Sequence, residues 1–155
     1  MDRLLKIANC ELYRGIGYET KSMERVTEFL AGSKKYSPTK VLELAAKLGK
    51  NGKHVLALVL YHCSNNMNET KTLSPEGKMD WGYRIVLGVR KSTEILIESG
   101  GKSREIGIKY GLEYMRKIVH ELQMLENVHP KTRALHFPKC VDELDAAESF
   151  KDKVV

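Results

Sequence analysis

A histidine and a cysteine stand side by side at His62 and Cys63, the residue types of a thiol nucleophile and its base. Neighbouring residues of a helix point in different directions, so these two cannot form a thiolate–imidazole pair with each other. Both follow an apolar run, which favours packing in a core over catalysis. Paired carboxylates and a nucleophile elbow are also missing, and we therefore predict that the protein is not an enzyme.

A second group of potential ligands lies in the segment HPKTRALHFPKC, which contains His129, His136 and Cys140. Three such side chains can hold a metal ion, but their spacing matches no zinc module. One family of helical ribonucleases carries Arg, four to six intervening residues and then His, whereas three residues separate Arg116 from His120. The sequence predicts no cofactor and leaves open whether these three residues bind a metal.

Lysine and arginine provide the clearest functional pattern. The net charge of +6 and the pI near 9.2 favour nucleic acid or another acidic partner. Residues 34–54 hold six Lys and one Glu, and Arg84 is seven residues from Lys91, as Lys109 is from Arg116. We predict phosphate-backbone contacts by both sets, with a plain solvated surface as the alternative. The first set is Lys34, Lys35, Lys40, Lys47, Lys50 and Lys53; the weaker second set is Arg84, Lys91, Lys109 and Arg116.

Four tyrosines lie near these charges in the sequence and offer stacking surface and hydrogen-bond donors. They are Tyr36, Tyr83, Tyr110 and Tyr114.

Lys40, Lys47 and Lys50 share one face only if they belong to a helix. Ser37-Pro38 predicts where that helix starts, because a Ser cap followed by Pro at the first helical position is a strong start signal. The spacing of the apolar residues predicts one buried stripe, with the lysines on the opposite face. Gly49 is predicted to cap this helix and Asn51-Gly52 to turn the chain. Residues 55–61 are apolar without a break; we predict a second helix there rather than a strand, and hence a helical hairpin. The stripe consists of Val41, Leu44, Ala45 and Leu48.

The whole chain is predicted to be all-α, a single-domain bundle of about six helices over residues 1–150. A long polar loop is expected at 64–78, and an irregular segment with an acidic C-terminal tail at 128–155. That tail, read as a short helix, is expected to dock on the protein's own basic surface or on a neighbour's. The other predicted helices span residues 2–13, 20–30, 79–98 and 103–127.

The seam of the longest predicted helix fits another helix or a second subunit, so self-association stays open. Three cysteines without paired spacing favour a reducing, cytoplasmic setting. A signal-peptide core and a membrane-spanning run are not seen, and no membrane partner is expected. The seam consists of Ile108, Leu112, Met115, Val119 and Leu122.

The predicted hairpin of residues 36–58, with its Asn51-Gly52 turn and Leu-rich second helix, resembles the helical small subunit of type III, Cmr-type CRISPR effector complexes. The resemblance covers about half the chain and includes YGLEYMRKIVHEL at 110–122. Lys53 stands where that family tends to have Leu, and the acidic tail has no counterpart. The other matching residues are Tyr36, Leu44, Leu48, Asn51, Gly52, Leu56 and Leu58.

The resemblance implies a non-catalytic role in antiviral defence. Such subunits contact neighbouring subunits and help to line the channel for guide and target RNA. The basic residues would contact the backbone of that RNA, whether it is single-stranded or guide-paired. Two other classes stay open. One is a helix-turn-helix-like DNA-binding regulator, against which the apolar second helix argues; the other is a helical enzyme with a site around His120 or His129.

Overall fold

The computed structural model describes Glu28, residues 36–129 and residues 136–154, with the side chain of His136 excepted. Every regular element in these residues is helical, which confirms the all-α bundle. The chain divides into two compact units, residues 1–72 and residues 73–155. The single domain predicted for residues 1–150 stays a prediction. The helix predicted at 2–13 lies outside the described residues, and of the helix predicted at 20–30 only Glu28 is described, in helical conformation.

The described part of the first unit is a helical hairpin. Helix α1 (Pro38–Lys50) packs against α2 (His54–Asn66). The Ser37 hydroxyl accepts a hydrogen bond from the Lys40 amide at 3.2 Å, and Pro38 occupies the first turn, as predicted. The whole predicted stripe of α1 is buried, and α2 is a helix whose residues 56–61 are buried without interruption. Six consecutive buried residues exceed one helical turn, so α2 is covered on every side.

The cap of α1 was predicted at Gly49, and this prediction is wrong. Helix α1 runs through Gly49 to Lys50, and Gly52 is the residue with positive φ, at 80°. The Gly52 amide donates to the Gly49 carbonyl, and the Lys53 amide donates to the Leu48 carbonyl at 2.9 Å. These two bonds make a Schellman motif, in which the left-handed residue follows the cap, and Gly52 adopts that conformation without a Cβ clash.

The predicted loop at 64–78 is also wrong. Helix α2 continues to Asn66, a short helix α3 (Asn68–Lys71) follows, and α4 (Pro75–Ser99) begins four residues earlier than expected. The polar side chains of this stretch bond to the backbone: Thr70 Oγ1 donates to the Ser64 carbonyl at 2.7 Å. Only residues 72–74 remain non-helical between α3 and α4.

The second unit is built around α4, which packs against a helical rod and against α7 (His136–Val154). The rod comprises α5 (Gly101–Ile106), a π-helical segment (Gly107–Leu112) and α6 (Glu113–Val128), in agreement with the helix predicted at 103–127. In its predicted seam, Ile108 is half-buried and the other four residues are buried. The helices approach closely where a Cβ on Gly111 would lie 2.1 Å from Thr93 Oγ1.

The C-terminal segment is more regular than predicted. Helix α7 starts at His136 and carries Pro138 in its first turn, where the missing amide costs no helical hydrogen bond. Its buried residues include Phe137, Cys140 and Ala147, so it is a packed helix rather than an irregular segment and tail. The expected docking on the protein's own basic surface is found at Arg90, which donates from its guanidinium to Glu143.

Candidate nucleic-acid interface

The candidate interface is the lysine face, which we define as Lys40, Lys47, Lys50 and Lys53. All four side chains are exposed. The first three follow one line along α1 because they are seven and three residues apart, which corresponds to a rise of about 10 Å and then about 5 Å along the axis. Lys53 follows the Schellman turn. The stripe that buries α1 thus also fixes the direction of these charges. Lys34 and Lys35, predicted to join them, lie outside the described residues.

The lysine face differs from the arginines of the second unit in its ion pairing. Within residues 36–129 and 136–154, none of its four lysines forms an ion pair, whereas Arg90 and Arg116 do. Lys47 and Lys50 lie in the last turn of α1, where cations favour the helix dipole. The one carboxylate on this side of α1 is Glu43, which is exposed between Lys40 and Lys47. Among the described residues, the positive charges of the face are therefore opposed on α1 by one carboxylate alone.

His54 adds no permanent charge to this face at neutral pH. It begins α2 directly after Lys53, and partial burial lowers the pKa of its imidazole from the ordinary value of 6.5. A histidine whose pKa lies below 6.5 is mostly neutral at pH 7. The charge of the face near neutral pH therefore comes from lysine alone.

The second predicted set is not a continuous surface of free cations. All four of its residues are exposed, but Arg116 donates to Glu148 at 2.5 Å. The guanidinium of Arg84 lies 5.4 Å from the centre of the Trp81 ring, and Lys109 Nζ lies 5.3 Å from the Tyr110 ring. In addition, π-helical turns, which are wider than α turns, lie between Lys109 and Arg116. The spacing of these two residues is therefore not that of two regular α turns.

The tyrosines predicted to stack near the charges are mostly covered. Tyr36, next to the lysine face, is 6% exposed, and Tyr83, Tyr110 and Tyr114 are half-buried. One basic residue that the sequence reasoning missed, Lys139, lies with its Nζ 6.0 Å from the Tyr83 ring. The position of Lys139 depends on α7 being helical from His136. The sequence predicts an irregular segment there, so it gives no position for this side chain.

The described candidates for catalysis and metal binding form no cluster, and the side chain of His136 lies outside the described residues. Cys63 is fully buried, and His129 lies exposed at the end of α6. Burial, together with the nearby charge of Glu143, raises the pKa of the Cys140 thiol to about 12. Among the described residues, no cluster of three or more His, Cys, Asp or Glu has the arrangement of a metal site.

Comparison with known proteins identifies no relative. Family models, curated proteins and solved structures all give no significant match to this chain. In the described part of the chain, no helix combines the length and apolarity needed to cross a bilayer.

Proposed function

We propose that this protein is a non-catalytic, cytoplasmic subunit of a CRISPR RNA-guided effector complex that holds guide or target RNA by the phosphate backbone. The observation that supports the proposal best is the lysine face, whose exposed charges have no acidic partner among the described residues. Lysines on one helix face contact phosphates without reading bases, as a sequence-blind scaffold requires.

The contrast between the two units supports placing the contact on α1. Arg90 and Arg116 of the second unit already bind glutamates of α7, so a phosphate would have to displace a carboxylate there. Lys47 and Lys50 form no ion pair among the described residues, so a phosphate that approaches them displaces no carboxylate of that part of the chain. The release of counterions drives binding and makes it dependent on salt.

The burial of α2 weighs against the alternative of a helix-turn-helix regulator. In such a motif the second helix enters the major groove and presents polar side chains to base edges. Here residues 56–61 of α2 are buried. The resemblance to the CRISPR small subunits lies in the same hairpin, at Leu44, Leu48 and the Asn51-Gly52 turn, and it supports the assembly role.

The test is binding of a fluorescently labelled 20-nucleotide RNA and a 20-base-pair duplex across a salt series. The variant K40E/K47E/K50E is compared with wild type and with the matched control K71E/K117E/K153E, which changes three other exposed lysines. Both variants lower the net charge from +6 to 0, because each Lys→Glu change removes two units.

We expect wild type and control to bind without sequence preference and the lysine-face variant to lose binding. Three phosphate contacts predict a slope of log K against log salt of about −2.7 for a duplex. Equal loss in both variants would mean that net charge alone drives binding and would overturn the lysine face as the site. Co-purification with RNA-guided effector subunits, tested in the same variants, separates RNA contact from assembly.

A further inference from the structure

Helix α7 uses its acidic residues in two different ways. Glu143 and Glu148 pair with arginines of α4 and α6 within the second unit. The other three carboxylates of α7 are exposed, and among the described residues they form no ion pair. Between residues 140 and 152, every exposed residue of α7 belongs to one line, which we call the aspartate ridge. The ridge consists of Asp142, Asp145, Ser149 and Asp152.

The aspartate ridge has the same spacing as the charged residues of the lysine face on α1. The four members of the ridge are three, four and three residues apart, and so are the four exposed charged residues of α1. In each helix these steps keep the side chains on one face over about 15 Å of the axis. The two lines are therefore equal in length, matched in spacing and mainly opposite in charge. The charged residues of α1 are Lys40, Glu43, Lys47 and Lys50.

The order of the charges selects one direction of pairing. If the two helices were parallel, Glu43 would face Asp145, a contact between like charges, which disfavours that arrangement. If they are antiparallel, each of the three lysines faces an aspartate, and the one carboxylate of α1 faces the serine of the ridge. The facing residues are then Lys40 with Asp152, Glu43 with Ser149, Lys47 with Asp145 and Lys50 with Asp142.

We infer that the lysine face of one copy docks antiparallel on the aspartate ridge of a second copy, and that nucleic acid on the face excludes this contact. The docking goes beyond the proposed function, and the exclusion rests on it. The two surfaces lie in different units of the chain, so the contact is head-to-tail and its repetition gives open chains or rings. The predicted seam of the rod is not available for self-association, because four of its five residues are buried.

The strength of the docking is that of exposed ion pairs. One such pair changes a binding constant by up to about fivefold, so three pairs change it by up to about a hundredfold. Salt weakens the contact, because the Debye length falls from about 10 Å at 0.1 M to about 3 Å at 1 M. We therefore expect reversible association at protein concentrations of about 0.1–1 mM in low salt, as is typical of a weak and transient interface.

The experiment is analytical ultracentrifugation of the full chain without nucleic acid, in 50 mM and in 500 mM salt. Two charge reversals are compared with wild type: K40E/K47E/K50E on the face and D142K/D145K/D152K on the ridge. Each variant alone should remain monomeric, because its two docking surfaces then carry the same charge. An equimolar mixture should associate again, because the native face of one variant meets the native ridge of the other and the two reversed surfaces also match.

The matched control is E98K/E105K/E121K, which changes three other exposed carboxylates. The control and the ridge variant both have a net charge of +12, because each substitution adds two units to +6. The control should associate within about threefold of wild type in 500 mM salt, where net repulsion is screened. Wild type that stays monomeric at 1 mM in 50 mM salt would overturn the docking. The docking would also be overturned by a ridge variant that still associates, or by a mixture that stays monomeric.

The exclusion is tested by adding a 20-base-pair RNA duplex to wild type in 50 mM salt. We expect the duplex to dissociate the head-to-tail contacts, because phosphates and aspartates require the same three lysines. Complexes in which duplex is bound while the copies remain associated would overturn the exclusion. A duplex that does not bind at all would overturn the proposed function, whereas the docking is decided by the ultracentrifugation without nucleic acid.

Discussion

The close crossing at Gly111 makes a quantitative prediction for G111A. A Cβ at this position would lie 2.1 Å from Thr93 Oγ1 and 2.9 Å from both Thr93 Cβ and Cγ2. The threonine side chain is too short to bend away, and rotating it only exchanges its oxygen for its methyl group. Thr93 is fully buried, so the helices must separate to relieve the clash.

The net cost follows from two opposing effects. Overpacking a core costs about 1–3 kcal/mol, and the short contact distance places Gly111 at the upper end. Replacing Gly by Ala in a helix returns about 1 kcal/mol of propensity. We therefore expect G111A to lower the free energy of unfolding by about 2 kcal/mol, equivalent to a loss of about 4–8 °C in Tm.

The assay is urea unfolding followed by the fluorescence of Trp81, the chain's one tryptophan, which is buried in α4 of the second unit. K109A is the matched control, since Lys109 is exposed on the same π-helical segment. T93A/G111A should recover about 1–2 kcal/mol, because the alanine lacks both of the outer atoms that clash. G82A should cost less than G111A, since the three atoms nearest its added Cβ, at 2.8 Å or more, form the branched end of the Leu122 side chain. A G111A protein as stable as wild type would refute the reasoning.

Three further predictions concern single side chains. Because Glu43 is the one carboxylate on the exposed side of α1, E43Q should raise nucleic-acid affinity about twofold to fivefold at 50 mM salt, and unchanged affinity would argue against contact there. Ser74 Oγ accepts from the Gly77 amide, so S74A should destabilise the second unit by about 1 kcal/mol in the tryptophan assay; an unchanged midpoint would contradict the cap. Cys140, with its pKa raised to about 12 from 9.0, should resist thiol reagents at pH 8 until the protein unfolds, as followed by peptide mass spectrometry. Rapid labelling of the folded protein would contradict this protection. Between pH 9 and 12 the folded thiol keeps its proton while the unfolded thiol loses it, so this group makes the free energy of unfolding fall as pH rises through that range.

Local signals in the sequence predicted the first hairpin well. Ser37 and Pro38 start α1 as their types require, and the 3.6-residue period placed the lysines opposite the buried stripe. The same start signal recurs at Ser74-Pro75, where it begins α4. The surrounding Asn, Ser and Thr residues nevertheless predict a loop there. Two of those hydroxyls, at Ser64 and Thr70, instead bond to carbonyls of the helical chain.

The features that the sequence did not predict depend on contacts between residues distant in the chain. Arg116 and Glu148 are 32 residues apart, and nothing in either local sequence indicates that they pair. The π-helical segment arises where two glycines of the rod meet Thr93 of α4, which is a tertiary event. The second set of candidate cations therefore lies on exposed helix surfaces, where Arg116 pairs with Glu148 and the π-helical segment changes the spacing of Lys109 and Arg116.

The π-helical segment also determines where this chain tolerates a change in length. A deletion in the middle of a regular helix turns everything beyond it by about 100°. Applied to α6, such a turn would carry Met115, Val119 and Leu122 out of the core. Within Gly107–Leu112 the wider turns already accommodate surplus backbone, and losing one residue there can be absorbed by a return to α geometry. The rod thus has one site where a single-residue deletion leaves the packing of α6 in register.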